Sequence, residues 1–213
     1  MKAILRENGL SLVVFSLFLL FWTGQLLTGW SVYNEEREKD QQSPVSLSSY
    51  LVGSHALEAT AENWESEFLQ MCAFVIFTAH LYQRGSPESR EAAEEPTRQR
   101  VRADSPWPVQ RGGWVRRVYE HSLSLSLGVL FLVAFSLHVV GGAGVLNEER
   151  AQAGLTPIGT LAYLRTSQFW FESFQNWQSE FLSIGMMVVL SIFLREKGSP
   201  ESKRVETPHR EHD

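Results

Sequence analysis

Four polar side chains interrupt otherwise apolar stretches of this 213-residue chain: Gln25, Glu67, His138 and Glu180. A histidine beside a carboxylate titrates near neutral pH. Ionisable groups inside apolar helices tend to face a bundle interior or a water-filled cavity. The chemistry such a group offers is proton or cation handling, and the plain alternative is a hydrogen-bond clamp between helices. Counted from the ends of their apolar runs, the four lie about four or five residues in, roughly 6 Å along a helix. They are therefore expected to form one shallow polar layer. Two of them close the motifs Asn63-Trp64-x-Ser66-Glu67 and Asn176-Trp177-x-Ser179-Glu180. Asparagine is a good helix N-cap, an early glutamate complements the helix dipole, and tryptophan suits a membrane interface. Asn63, Trp64, Asn176 and Trp177 are accordingly read as outer-interface helix caps.

Other chemistries find little support. Haem would need paired histidines, but His80 and His138 fall near opposite ends of their spans and His121, closer in depth to His80, sits at the interface, so no cofactor is expected. Neither the Cys/His spacing of a zinc site nor a nucleophile elbow is present, so no metal and no enzymatic activity are expected. The single Cys72 sits in an apolar run and reads as packing.

The elements that position the polar groups come from a duplication. Adding 113 to a position between Glu7 and Arg90 gives its counterpart between Glu120 and Lys203. Asn34-Glu35-Glu36-Arg37 returns as Asn147-Glu148-Glu149-Arg150, Tyr50-Leu51 as Tyr163-Leu164, and Gly85-Ser86-Pro87-Glu88-Ser89 as Gly198-Ser199-Pro200-Glu201-Ser202. A repeat of this length is one structural unit used twice. Each copy holds two apolar blocks. Leu10–Trp30 and Leu123–Val145 carry no charge and match a bilayer core of about 30 Å. The weaker blocks, near 64–82 and 177–194, are also read as spans. The fold class expected is an all-α membrane protein: four transmembrane helices in two tandem, parallel-related hairpins, with short amphipathic helices on the outer face. The first repeat covers 1–90, a flexible charged linker 91–113, the second repeat 114–203, and a disordered tail 204–213. The first block has the positive start of a signal peptide, but its mid-chain copy argues for a retained span.

Overall mean hydropathy is −0.14 and formal net charge −5, averages that hide the alternation of apolar blocks and charged loops. Of the 19 lysines and arginines, 15 fall at the termini or between the repeats and four in the other two loops. By the positive-inside rule both termini are expected to be cytoplasmic. No face gathers the cations as nucleic acid binding requires. The expected partner is the lipid bilayer. Small residues such as Gly128, Gly141, Gly142 and Gly144 allow close helix packing within the chain or in a homodimer.

Asn-Glu-Glu after the first span, Asn-Trp-x-Ser-Glu-Phe-Leu opening the second and Gly-Ser-Pro-Glu-Ser after it resemble a bacterial family of small membrane proteins catalogued only as a domain of unknown function. The resemblance covers nearly the whole chain outside the linker and tail. It implies a four-helix integral membrane protein and brings no known activity. Two function classes follow: a structural or interaction component of the bacterial inner membrane, and a small ion- or proton-linked transporter or channel, the latter as a homo-oligomer because four helices make a thin conduit.

Overall fold

The computed structural model describes residues 7–89 and 101–207. Among these residues there are eight helices and no strand. In chain order they are α1 (Gly9–Lys39), α2 (Leu47–Leu51), α3 (Ser54–His80), α4 (Trp107–Arg111), α5 (Gly113–Glu120), α6 (Ser122–Gln152), α7 (Thr160–Tyr163) and α8 (Ser167–Phe193).

The duplication is visible to the residue. Helices α1 and α6 both have 31 residues and begin 113 positions apart, and so do α3 and α8 with 27 residues each. Even the loop hydrogen bonds repeat. Asn34 takes both backbone groups of Val45: Val45 N–H donates to Oδ1 (2.8 Å), and Nδ2 donates to the Val45 carbonyl (3.1 Å). Asn147 does the same to Ile158, at 2.7 and 3.0 Å. Three residues on, Arg37 Nε donates to Ser43 O and Arg150 Nε to Thr156 O, at 2.8 and 2.7 Å. The recurring Asn-Glu-Glu-Arg is thus a staple that turns the chain back along the last turns of the long helix.

The chain divides into two compact units, residues 1–61 with 137–164 and residues 62–136 with 165–213. Each unit therefore draws on both copies of the repeat. In the first, Tyr50 and Tyr163 are buried by glycines at equivalent positions. A Cβ on Gly29 would strike the Tyr50 hydroxyl, and one on Gly142 would stand 2.6 Å from Tyr163 Cζ. Next to it, a Cβ on Gly141 would lie 2.7 Å from the backbone nitrogen of Glu58, so α3 and α6 touch there backbone to backbone.

Two expectations require correction. Asn63 and Asn176 are not helix caps: they lie inside helices that begin at Ser54 and Ser167. The run Ala56-Leu57-Glu58-Ala59 is built of good helix formers, so the expected outer helix and the following apolar block are one rod. The break falls earlier, after α2 at Val52-Gly53, and the N-terminus of α8 is capped by Thr166, whose Oγ1 accepts from Phe169 N–H. The segment read as a linker, 91–113, is helical in part: Trp107–Arg111 form α4, started by Pro106. Its residues 91–100, like 208–213 of the expected tail, lie outside the described residues.

Helices α1 and α6 are long and apolar enough to cross a membrane. At 1.5 Å per residue a 31-residue helix is about 46 Å long. No residue of α1 is buried. Successive side chains Leu17, Phe18, Leu19, Leu20 and Phe21 are all exposed, and at 3.6 residues per turn they cover its whole circumference.

The glycine contacts give a test. Gly141→Ala should destabilise the protein by about 1–3 kcal/mol, because backbone atoms must give way. Gly185→Ala, in the interior of α8 with no neighbour within 4 Å, should be neutral or stabilising by up to about 1 kcal/mol. Thermal melting of both variants in detergent checks the contrast.

Candidate functional site

A polar seam joins α3 to α8 within the second unit. Glu62, Glu65, Ser66 and Gln70 recur at the three-to-four-residue spacing that places them on one face of α3. Glu65 is 1% exposed, and Ser66 and Gln70 are also buried. Opposite them, the Trp177 indole N–H donates to Glu65 Oε1 at 3.1 Å, and Asn176 Nδ2 donates to Glu62 Oε1. One turn further on, Gln70 Nε2 donates to the Glu180 carbonyl at 3.0 Å and to Ser183 Oγ at 3.2 Å. Asn176 and Trp177 thus act as hydrogen-bond donors to carboxylates on another helix.

An aromatic cluster backs this seam. Trp170 and Phe174 pack on Trp177 with ring centroids 6.4 and 5.7 Å away. Fully buried Phe169 lies edge-on to both Phe135 and Trp170. A carboxylate removed from water is costly unless hydrogen-bonded, and these rings hold the Trp177 donor in place against Glu65.

The four residues of the anticipated polar layer are each placed within their own unit. Gln25 and His138 belong to the first unit, Glu67 and Glu180 to the second. Gln25 Nε2 donates to the Ala59 carbonyl at 2.9 Å, beside a bond from the Trp22 indole to Thr60 Oγ1 at 3.3 Å. His138 is fully buried. Glu67 is exposed and Glu180 half-buried, the two within electrostatic reach of each other. Trp64 is half-buried and Asn63 exposed. The buried carboxylate of this motif is therefore Glu65, two residues before the one singled out from sequence. Had the helix been started at Ser54, the run Glu62, Glu65/Ser66 and Gln70 would have shown the inward face.

The first unit holds a further titratable cluster. Tyr33 Oη donates to Glu148 Oε2 at 3.0 Å, and His55 Nε2 is 3.4 Å from the same oxygen. The Tyr33 and His55 rings lie 4.3 Å apart, and the Arg37 guanidinium sits 5.6 Å over Tyr33. A shallow groove of about 410 Å³ opens nearby, lined by Trp30, Asn34, Glu35 and Glu38 among others. None of the four residues of the anticipated layer lines it. His80 bonds the Ile76 carbonyl of its own helix, and Cys72 Sγ lies 3.4 Å from the Ser124 carbonyl. Among the described residues no three His, Cys, Asp or Glu side chains gather in a way that could hold a metal ion.

The class these features define is an all-helical protein built on an internal duplication, with two helices of membrane-crossing length and composition. Comparison of the sequence with family models places the particular chain. Residues 1–213 match the model described as "Domain of unknown function (DUF6766)", and the protein belongs to that family. No curated protein and no solved structure matches it.

Removing the Trp177 donor isolates the seam's contribution. Trp177→Phe should cost about 1–3 kcal/mol, because it takes a hydrogen bond from a buried carboxylate. The single and double variants Glu62→Ala and Asn176→Ala should show a coupling of about 0.5–3 kcal/mol in a double-mutant cycle. Denaturation in detergent measures both, and strict additivity in the cycle would remove the Glu62–Asn176 contact from the account.

Proposed function

We propose that this protein is a four-helix integral membrane protein of the bacterial inner membrane, with both termini in the cytoplasm. Its role is structural or adaptor-like: a rigid helical platform rather than a catalyst. The observation that carries the membrane reading is the apolar surface around the full circumference of α1, with none of its residues buried. A helix apolar on every side belongs in a protein core or in lipid, and α1 has no core around it. Helices α3 and α8, at 27 residues, are about 40 Å long, enough to serve as the second span of each hairpin. The polar seam supports the structural role, since its side chains are engaged in helix-to-helix hydrogen bonds.

A second reading, a small proton- or ion-linked transporter acting as a homo-oligomer, draws on one specific observation. Glu65 and His138, both ionisable, are at most 1% exposed. Such groups at membrane depth are costly and often functional.

Labelling tests the topology. In intact cells of a Cys72→Ser background, Asp40→Cys should react with an impermeant thiol reagent and Ser105→Cys should not. Equal labelling of both would refute the orientation. Reconstituted Glu65→Gln protein separates the two roles: unchanged proton flux relative to wild type supports the platform, and altered flux from a protein that still folds supports transport.

A further inference from the structure

Helices α4 and α5 carry a surface that neither the polar seam nor the duplication uses. At about 100° per residue, Trp114, Val118, Val115 and Tyr119 of α5 fall within one arc of about 140°. Arg116, Glu120 and Arg117 fill the opposite side. The apolar arc is largely open: Trp114 is 73% exposed, and Val118 and Tyr119 are exposed beside it. Trp107 on α4 is exposed as well, with the Arg111 guanidinium 5.2 Å over its ring.

Two observations bear on what covers this face. The first is position. Helix α5 ends at Glu120, and α6, long and apolar enough to cross a membrane, begins at Ser122. His121 between them has φ of −111° and ψ of 12°, outside helical geometry, so α5 is a separate rod at the mouth of α6. Tryptophan and tyrosine are the side chains that favour the headgroup level of a bilayer. The second is charge. Residues 101–121 hold four arginines against two acids, in a chain of net charge −5. Arg116 pairs with Glu120 at 2.6 Å, while Arg111 and Arg117 are exposed. A basic rim beside an apolar arc matches an anionic lipid surface. A second protein chain fits this face less well. Helix α5 has eight residues and is about 12 Å long, so one side of it falls far short of the roughly 1,200 Å² that a specific protein interface buries.

We propose that α4 and α5 form an in-plane anchor seated in the headgroup layer of an anionic membrane surface. Trp107, Trp114, Val118 and Tyr119 enter the apolar boundary. Arg111 and Arg117 reach lipid phosphates, whose oxygens suit the guanidinium fork. The anchor fixes the depth at which α6 enters the bilayer. It rests on the membrane reading and adds to it a class of lipid.

Spin labelling of the full-length protein tests it. Single labels are placed by Trp114→Cys, Arg117→Cys, Val118→Cys and, on α6, Leu130→Cys, all in a Cys72→Ser background. The protein is reconstituted in phosphatidylcholine vesicles with or without phosphatidylglycerol. With phosphatidylglycerol, labels at 114 and 118 should favour oxygen over a water-soluble nickel chelate, and the label at 117 should show the reverse. Read from the label at 118, which leaves Trp114 in place, the ratio of docked to undocked anchor should fall about fivefold for each arginine removed by Arg111→Gln or Arg117→Gln. Omitting phosphatidylglycerol should lower it too. Nickel access at 114 and 118 with a lipid-immersed label at 130 would overturn the anchor and leave the membrane reading standing. Nickel access at 130 as well would overturn both. Dipolar coupling between labels at 114 on two copies would show that a second chain covers the face, and lipid contact indifferent to phosphatidylglycerol and to both arginines would remove the anionic surface. Either result overturns the proposal.

Discussion

The constraint on which the first unit rests is a tyrosine packed into a helix where only glycine leaves room. It occurs twice, as Tyr50 on Gly29 and Tyr163 on Gly142. The loop carrying each tyrosine must run back along the end of its long helix, and the asparagine staple to Val45 or Ile158 sets the distance at which it does so. Once the ring is seated, α2 or α7 is fixed, and the next long helix begins within about one turn of it. Backbone groups in an irregular loop need partners. Here one asparagine supplies a donor and an acceptor to the same residue, and an arginine takes a further carbonyl. The repeated Asn34 and Arg37, with Asn147 and Arg150, are therefore occupied in holding a loop.

Where the copies differ, the differences have a direction. Glu62 and Glu65 correspond to Gln175 and Gln178, and Gln70 corresponds to Ser183. The carboxylates of the seam thus sit on α3, and donors stand opposite on α8. Had both copies kept glutamates at these positions, the second pair would have added charge without adding donors. In the first unit the same divergence gives Tyr33 and His55, whose counterparts are Leu146 and Gln168, and both meet Glu148. Duplication supplied two equivalent surfaces, and substitution made them complementary.

Much of this was legible in the chain, and the limits have physical causes. The 113-residue offset and the long apolar helices follow from letters alone, because identical local sequence under identical packing gives identical helices. Family membership was legible for the same reason, through motifs that recur intact. The starts of α3 and α8 were misplaced because asparagine is a strong cap signal, while the real boundary is marked by Gly53 and Thr166. That error moved the inferred inward face from Glu65 to Glu67, since a shift of two residues turns a helix by about 200°. The asparagine staples were invisible for another reason: they act on backbone at Val45 and Ile158, where the side chains carry no signal.

The seam also explains why polar groups persist on helices this apolar. Apolar contact between two rods is nearly indifferent to sliding, because dispersion and apolar burial have no direction. Hydrogen bonds are not indifferent. Gln70 reaches the Glu180 carbonyl, which also accepts from Ser183 Oγ at 2.8 Å, while Trp177 meets Glu65 in the neighbouring turn. Sliding α8 by one residue moves every donor by about 1.5 Å and rotates it by about 100°. All the contacts would be lost together, leaving Glu65 without its indole donor inside the protein. A misregistered pairing therefore costs far more than the modest net value of any one bond. The seam selects one register for α3 against α8, and the tilted and edge-on rings of Trp170, Phe174 and Trp177 keep the donors aimed while it does so.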